Sequence, residues 1–153
     1  MASTAASTRT VPADRRPLVL FVCTHNSARS QLAEALLRAR HGDRWRAASA
    51  GTVARGVHPG ALAALAEAGV SAEGLRSQTL DEVLADGAPD VVVTVCDAAR
   101  EACPYVPAPR SLHHGFRDPS AAPEAEQARA FAAVRDEIAA WLDTTFGPDG
   151  ALA

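Results

Sequence analysis

Residues 18–38 read Leu18-Val19-Leu20-Phe21-Val22-Cys23-Thr24-His25-Asn26-Ser27-Ala28-Arg29-Ser30-Gln31-Leu32-Ala33-Glu34-Ala35-Leu36-Leu37-Arg38. The first five are apolar and β-rich, the pattern of a parallel strand covered on both faces. From Ser30 onward the period changes. Leu32, Leu36 and Leu37 recur at helical spacing, and Ser30 is placed to cap the first turn. Cys23 to Arg29 is therefore a strand-to-helix turn. Backbone N–H groups in such a turn, here those of Thr24, His25, Asn26, Ser27 and Ala28, converge with the helix N-terminus on one small volume that favours an oxyanion.

The spacing Cys-x5-Arg adds a nucleophile and a clamp. Arg29 carries a planar fork of donors that can hold two oxygens of a tetrahedral anion, which a lysine does less well. The field of the turn and the Ser30 hydroxyl both favour the ionised sulfur of Cys23, the nucleophilic form. The bland alternative is a buried structural cysteine followed by a surface arginine, and a pattern this short also occurs by chance.

At 153 residues, 48% hydrophobic and 22% charged, the chain suits one soluble domain with a full core. A formal net charge of -3, with both signs scattered, offers neither a basic stripe for nucleic acid nor a polybasic membrane patch. No apolar run reaches transmembrane length, and the N-terminus lacks the hydrophobic stretch of a signal peptide. A cytoplasmic, monomeric protein is the expectation. Three cysteines are too few and too odd in number for a disulfide scaffold, so catalytic or redox roles take precedence.

Residues 1–17 are rich in Ala, Ser, Thr and Arg without an apolar period and read as a flexible extension, faintly like a transit peptide. The domain is expected over residues 18–146 and a short tail over 147–153. Trp45 to Ala48 suggests a second strand running into Ser49-Ala50-Gly51, whose small side chains allow close backbone approach. His58-Pro59 opens a helix with Leu62, Leu65, Ala66 and Ala68 toward the core, and His58 reads as a solvated helix-start residue. Leu80 to Leu84 is a short helix, Val91 to Val95 a second apolar strand, and Arg110 to Leu112 a short one. A long helix after Pro123 carries Phe131, Val134, Ile138 and Trp141 or Leu142 on one face. This alternation predicts a single-domain, three-layer α/β fold with a central, about four-stranded parallel sheet flanked by helices.

Cys96 follows Val95 as Cys23 follows Val22, and the C-terminal ends of parallel strands share one edge, where such folds place ligands. Asp97 to Ala102 reads as helical and Cys103-Pro104 closes it. In a helix, Cys96 and Cys103 would lie about 10 Å apart along the axis, beyond the reach of a disulfide. Joining them requires that helix to unwind. Asp118, on a loop before Pro119, is a candidate proton donor or acceptor, although Asp-Pro is also an ordinary turn dipeptide. His113 and His114 make a poor zinc signal and read as structural.

The octapeptide Cys23 to Ser30, Ser49-Ala50-Gly51, Val93 to Cys96 with Cys103-Pro104, and Gly115-Phe116-Arg117-Asp118-Pro119 together resemble the thioredoxin-coupled arsenate reductases, which share the low-molecular-weight tyrosine phosphatase fold. The similarity covers roughly Leu18 to Leu142. The resemblance implies a relay in which Cys23 attacks arsenate held by the turn and Arg29 while Asp118 assists departure of water. Cys96 then releases arsenite by forming a disulfide with Cys23, and Cys103 takes that disulfide over for thioredoxin. Glutaredoxin- or mycothiol-linked delivery would use the same first thiolate.

Departures from the family pattern accompany the match. A family potassium site would map to Asn26, Glu34, Ser49 and Thr79, but Thr79 stands where the family has an aspartate, which leaves that site in doubt. His25 replaces a frequent glycine. Ser120-Ala121 stands where phosphatases carry tyrosines, so an aryl substrate loses its platform. Two other classes stay open: a phosphomonoester hydrolase using Cys23, Arg29 and Asp118 alone, and a non-enzymatic thiol site that binds arsenite or senses redox state.

Overall fold

A computed structural model describes residues 15–97 and 104–152. Most of the N-terminal extension, and Cys103 with the helical stretch expected before it, lie outside the described residues. Four strands, β1 (Leu18–Cys23), β2 (Arg46–Gly51), β3 (Val91–Thr94) and β4 (Arg110–His113), form one parallel sheet in the order β2-β1-β3-β4. Among the described residues four α-helices accompany them: α1 (Arg29–His41), α2 (Pro59–Glu67), α3 (Leu80–Ala85) and α4 (Gln127–Phe146). Among the described residues no helix is long and apolar enough to cross a membrane.

The apolar run of β1 is continuous because both faces of the sheet are covered. Val19, Phe21 and Cys23 point to one layer, where they meet Leu32, Leu36 and Leu37 of α1, Leu65 of α2 and Phe131, Ile138, Leu142 and Phe146 of α4. Leu20 and Val22 point to the other, against Val83 of α3 and Val106. Period-two alternation in the strand thus sorts one sequence into two cores. Trp45, read as part of the second strand, precedes it; its ring packs edge-on against Phe146 and its Nε1 donates to the Phe146 carbonyl at 3.0 Å. The ends of α1 and α4 are joined by Asp143, which accepts from Arg40 Nε at 2.9 Å and meets His41 Nε2 at 2.7 Å. Hydrogen bonding from Arg40 holds the Asp143 carboxyl below its usual range.

The inward face of α2 differs from the sequence expectation. Ala61, Ala64 and Leu65 are buried, whereas Leu62 is 40% exposed and Ala66 and Ala68 face out. The reason is Gly60. A Cβ there would lie 2.6 Å from the Phe131 ring, so α2 is pressed against α4 along the stripe that follows Gly60. The last helix keeps its expected face, with Leu142 buried and Trp141 half-buried.

Register places the end of β2 under the turn that leaves β1. Cys23 pairs with Gly51, and a Cβ on Gly51 would sit 2.7 Å from Asn26 N, Thr24 O and Val53 O, all backbone. The small residues of Ser49-Ala50-Gly51 therefore permit the close approach that the sequence suggested. Gly51→Ala is predicted to cost about 1–3 kcal/mol of stability through overpacking; a thermal melt matching the wild type would contradict the packing described.

Glu34 of α1 is buried against β2, where it accepts from Ser49 Oγ at 2.6 Å and pairs with Arg38. Burial pushes its carboxyl up, and the Ser49 hydrogen bond and Arg38 only partly offset this. A carboxyl raised in the folded state binds its proton more tightly there than when unfolded, so its ionisation costs stability as pH rises above the ordinary carboxyl range. Removing Arg38 raises it further. Arg38→Met should therefore lower the melting temperature more near pH 8 than near pH 5, with a loss of about 1–3 kcal/mol at the higher pH. Equal losses at both would show that the pair contributes nothing electrostatic.

Candidate functional site

The turn between β1 and α1 has its carbonyls pointing outward. Thr24 O accepts from Val53 N at 3.2 Å and Thr52 Oγ1 at 3.1 Å, His25 O from Arg55 N at 3.1 Å, and Ser27 O from His58 N at 2.9 Å. Asn26 O accepts from Gln31 Nε2 at 3.0 Å and Ser77 Oγ at 2.8 Å. Every carbonyl from Thr24 to Ser27 is held by a donor on the outside of the loop, which turns the intervening peptide N–H groups inward toward a common centre. Asn26 is the one described non-glycine residue at positive φ, 47°, and asparagine tolerates that region better than most side chains.

Asn26 also anchors the nucleophile's partner. Its Oδ1 accepts from Gln78 N at 2.7 Å, which directs its Nδ2 to Ser30 Oγ at 2.8 Å. Ser30 Oγ is 2.9 Å from Cys23 Sγ. Because an amide nitrogen only donates, the serine oxygen accepts from Asn26 and its own hydrogen is available to the sulfur. Ser30 does not cap the helix as its sequence position suggests: α1 begins at Arg29 after Ala28, without a side-chain cap. The hydroxyl is turned to Cys23 instead.

Arg29 is buried, with Nη1 donating to Phe116 O at 3.2 Å and Nη2 3.7 Å from Asp118 Oδ2. Asp118 holds its own turn and faces the arginine. Its Oδ1 accepts from Ser120 N at 3.0 Å and Ser120 Oγ at 2.7 Å, which fixes the turn at Pro119–Ala121, and its Oδ2 is left toward Arg29. A cavity of about 370 Å³ is lined by the turn, including Cys23, His25, Ser27 and Arg29, together with Arg55, His58, Asp118 and Ser120. Among the described residues, that lining contains no Phe, Tyr or Trp. A larger depression, of about 790 Å³, lies beside Leu18 and Arg46 at the opposite ends of the strands and carries no nucleophile.

The sequence reading missed Arg55 and His58. Neither belongs to a recognisable motif; they reach the cavity because the segment from Thr52 to His58 is stitched to the turn by the backbone bonds above. His58 is half-buried and caps α2, its Nδ1 accepting from Gly60 N at 2.9 Å.

Cys96 lies at the same sheet edge as Cys23. β1 and β3 are paired neighbours, Val22 with Thr94, and Val95 N donates to Val22 O at 2.9 Å. Both cysteines are buried. Cys23 is a free thiol, whereas Cys96 is disulfide-bonded. His113 and His114 are occupied structurally, the first with its Nδ1 2.6 Å from Thr94 Oγ1, the second stacked on Trp141.

The oxygens considered for potassium are committed elsewhere. Asn26 Oδ1 serves Gln78, and Thr79 caps α3 in a capping box with Glu82. Glu34 has Ser49 on one oxygen and the Arg38 guanidinium on the other. A fixed positive charge already faces that carboxylate, so these residues do not fit a potassium ion. Among the described residues no group of three or more His, Cys, Asp or Glu could hold a metal.

The chain is similar over 132 residues to an arsenate reductase of Halalkalibacterium halodurans, at 39% identity and covering 84% of this chain and 94% of that one. Among solved structures, an arsenate reductase in the phosphate-binding state matches with a TM-score of 0.68 and 28% identity over 81% of this chain and 92% of that chain. The thioredoxin-dependent arsenate reductase of Corynebacterium glutamicum matches with a TM-score of 0.59 and 30% identity over 87% of this chain and 62% of that chain. Residues 18–146 match the low molecular weight phosphotyrosine protein phosphatase family, and with the turn, the arginine and the Asp-Pro loop all in place around one sulfur, the chain belongs to that family.

Proposed function

We propose that this protein reduces arsenate to arsenite through Cys23, Cys96 and Cys103, with thioredoxin as the final reductant. The observation that carries the reading is the presence of Cys96 at the edge of β3, beside the strand that delivers Cys23. A hydrolase needs only the first sulfur. The relatives named as arsenate reductases support the substrate, and the Corynebacterium glutamicum neighbour supports the choice of thioredoxin.

In this reading the turn amides and Arg29 hold the oxyanion over Cys23. The Ser30 hydroxyl, fixed by Asn26, donates to the sulfur and suits its ionised, nucleophilic form. The thiolate forms a bond to arsenic(V), and one arsenate oxygen leaves as water after accepting a proton from Asp118. Cys96 as thiolate then attacks Cys23 Sγ. The Cys23 sulfur–arsenic bond breaks with its electron pair going to arsenic, so arsenic(III) leaves as arsenite and a Cys23–Cys96 disulfide forms. Cys103 attacks Cys96, Cys23 departs as a thiolate, and the resulting Cys96–Cys103 disulfide is reduced by the thioredoxin dithiol, which supplies the two electrons.

Arsenate-dependent NADPH consumption through thioredoxin reductase and thioredoxin tests this directly. Wild type should turn over repeatedly, whereas Cys96→Ser and Cys103→Ser should each lose multiple turnover. Phosphomonoester hydrolysis that persists in Cys96→Ser, with no arsenate-dependent NADPH consumption by the wild type, would instead identify a hydrolase.

A further inference from the structure

His58 has one side-chain polar atom with no described partner, and the ring that carries it is held by two contacts while its backbone is held by a third. Its backbone N donates to Ser27 O at 2.9 Å, its Nδ1 accepts from Gly60 N at 2.9 Å, and its ring lies on buried Phe131 with centroids 4.8 Å apart. An Nδ1 that accepts a hydrogen bond carries no proton, so the ring is the neutral tautomer with its hydrogen on Nε2. The side chain lines the cavity that contains Cys23, Arg29 and Asp118. That cavity is also larger than a single tetrahedral oxyanion requires, so the turn amides and Arg29 do not exhaust its walls.

We propose that His58 is a substrate-binding residue whose Nε2–H donates to an oxygen of the oxyanion seated in the turn. The proposal rests on the reading of this cavity as an oxyanion site. A ring already held by the Gly60 amide and Phe131 loses little rotamer freedom on binding. The same backbone bond that turns the Ser27 carbonyl outward sets the height of the imidazole, so cradle and donor are built together.

Two substitutions separate this role from helix capping. His58→Asn keeps a short acceptor for the Gly60 N–H but lacks an atom at the Nε2 position, whereas His58→Gln can place an N–H there but gives up the short cap. Inorganic phosphate serves as the probe in calorimetric titration without any reductant, so the result stands apart from arsenate turnover. His58→Asn is expected to weaken phosphate binding about tenfold with an unchanged melting temperature, and to raise the KM for arsenate with little loss of kcat. His58→Gln is expected to recover most of the affinity while melting lower. Phosphate affinity in His58→Asn equal to wild type would overturn the proposal, as would a wild-type protein that binds no phosphate.

Discussion

Four consecutive carbonyls, from Thr24 to Ser27, are pinned away from the centre of the turn by donors from three other parts of the chain. The site depends on this. A peptide unit has two ends, and fixing its oxygen outside leaves its N–H inside. Each such hydrogen bond is worth about 0.5–1.5 kcal/mol net, whereas a non-glycine residue at positive φ costs about 1–3 kcal/mol, less for an asparagine. The bonds together therefore outweigh the strain at Asn26. The same accounting explains why Gly51 has no side chain: the donors reach the turn only because β2 lies against it without a Cβ between them.

The sheet performs a second alignment. Parallel pairing of β1 with β3 brings both strand ends to one edge, where β1 closes on Cys23 and Cys96 stands two residues beyond β3. The core layer that contains Cys23 also contains Val95, Cys96 and Phe116, and Phe116 supplies the carbonyl that Arg29 grips. In the proposed relay, then, oxyanion clamp and resolving sulfur share one packed layer.

Much of this was legible in the residues themselves. β1 and α1 announce themselves by a continuous apolar run that gives way to helical spacing, and Cys23, Arg29 and Asp118 line one cavity. Legibility failed where contacts across the fold decide. Ser30 reads both as a cap and as a partner of the sulfur, and only the hydrogen bond from Asn26 decides for the second. Gly60 rotates α2 away from the face its leucines suggest. His58 looks solvated because nothing local reveals that residues 52–58 fold back over the turn. Thr79 hinted that a cation site was incomplete, but not that Arg38 would occupy the carboxylate.

Amide resonances observed by 1H–15N NMR during phosphate titration test the outward-carbonyl cradle most directly. The account predicts saturable downfield shifts of the amides within residues 24–30, with those around Arg16, Arg40 and Arg46 unmoved. Shifts concentrated in that arginine-lined depression, with the turn amides silent, would contradict it.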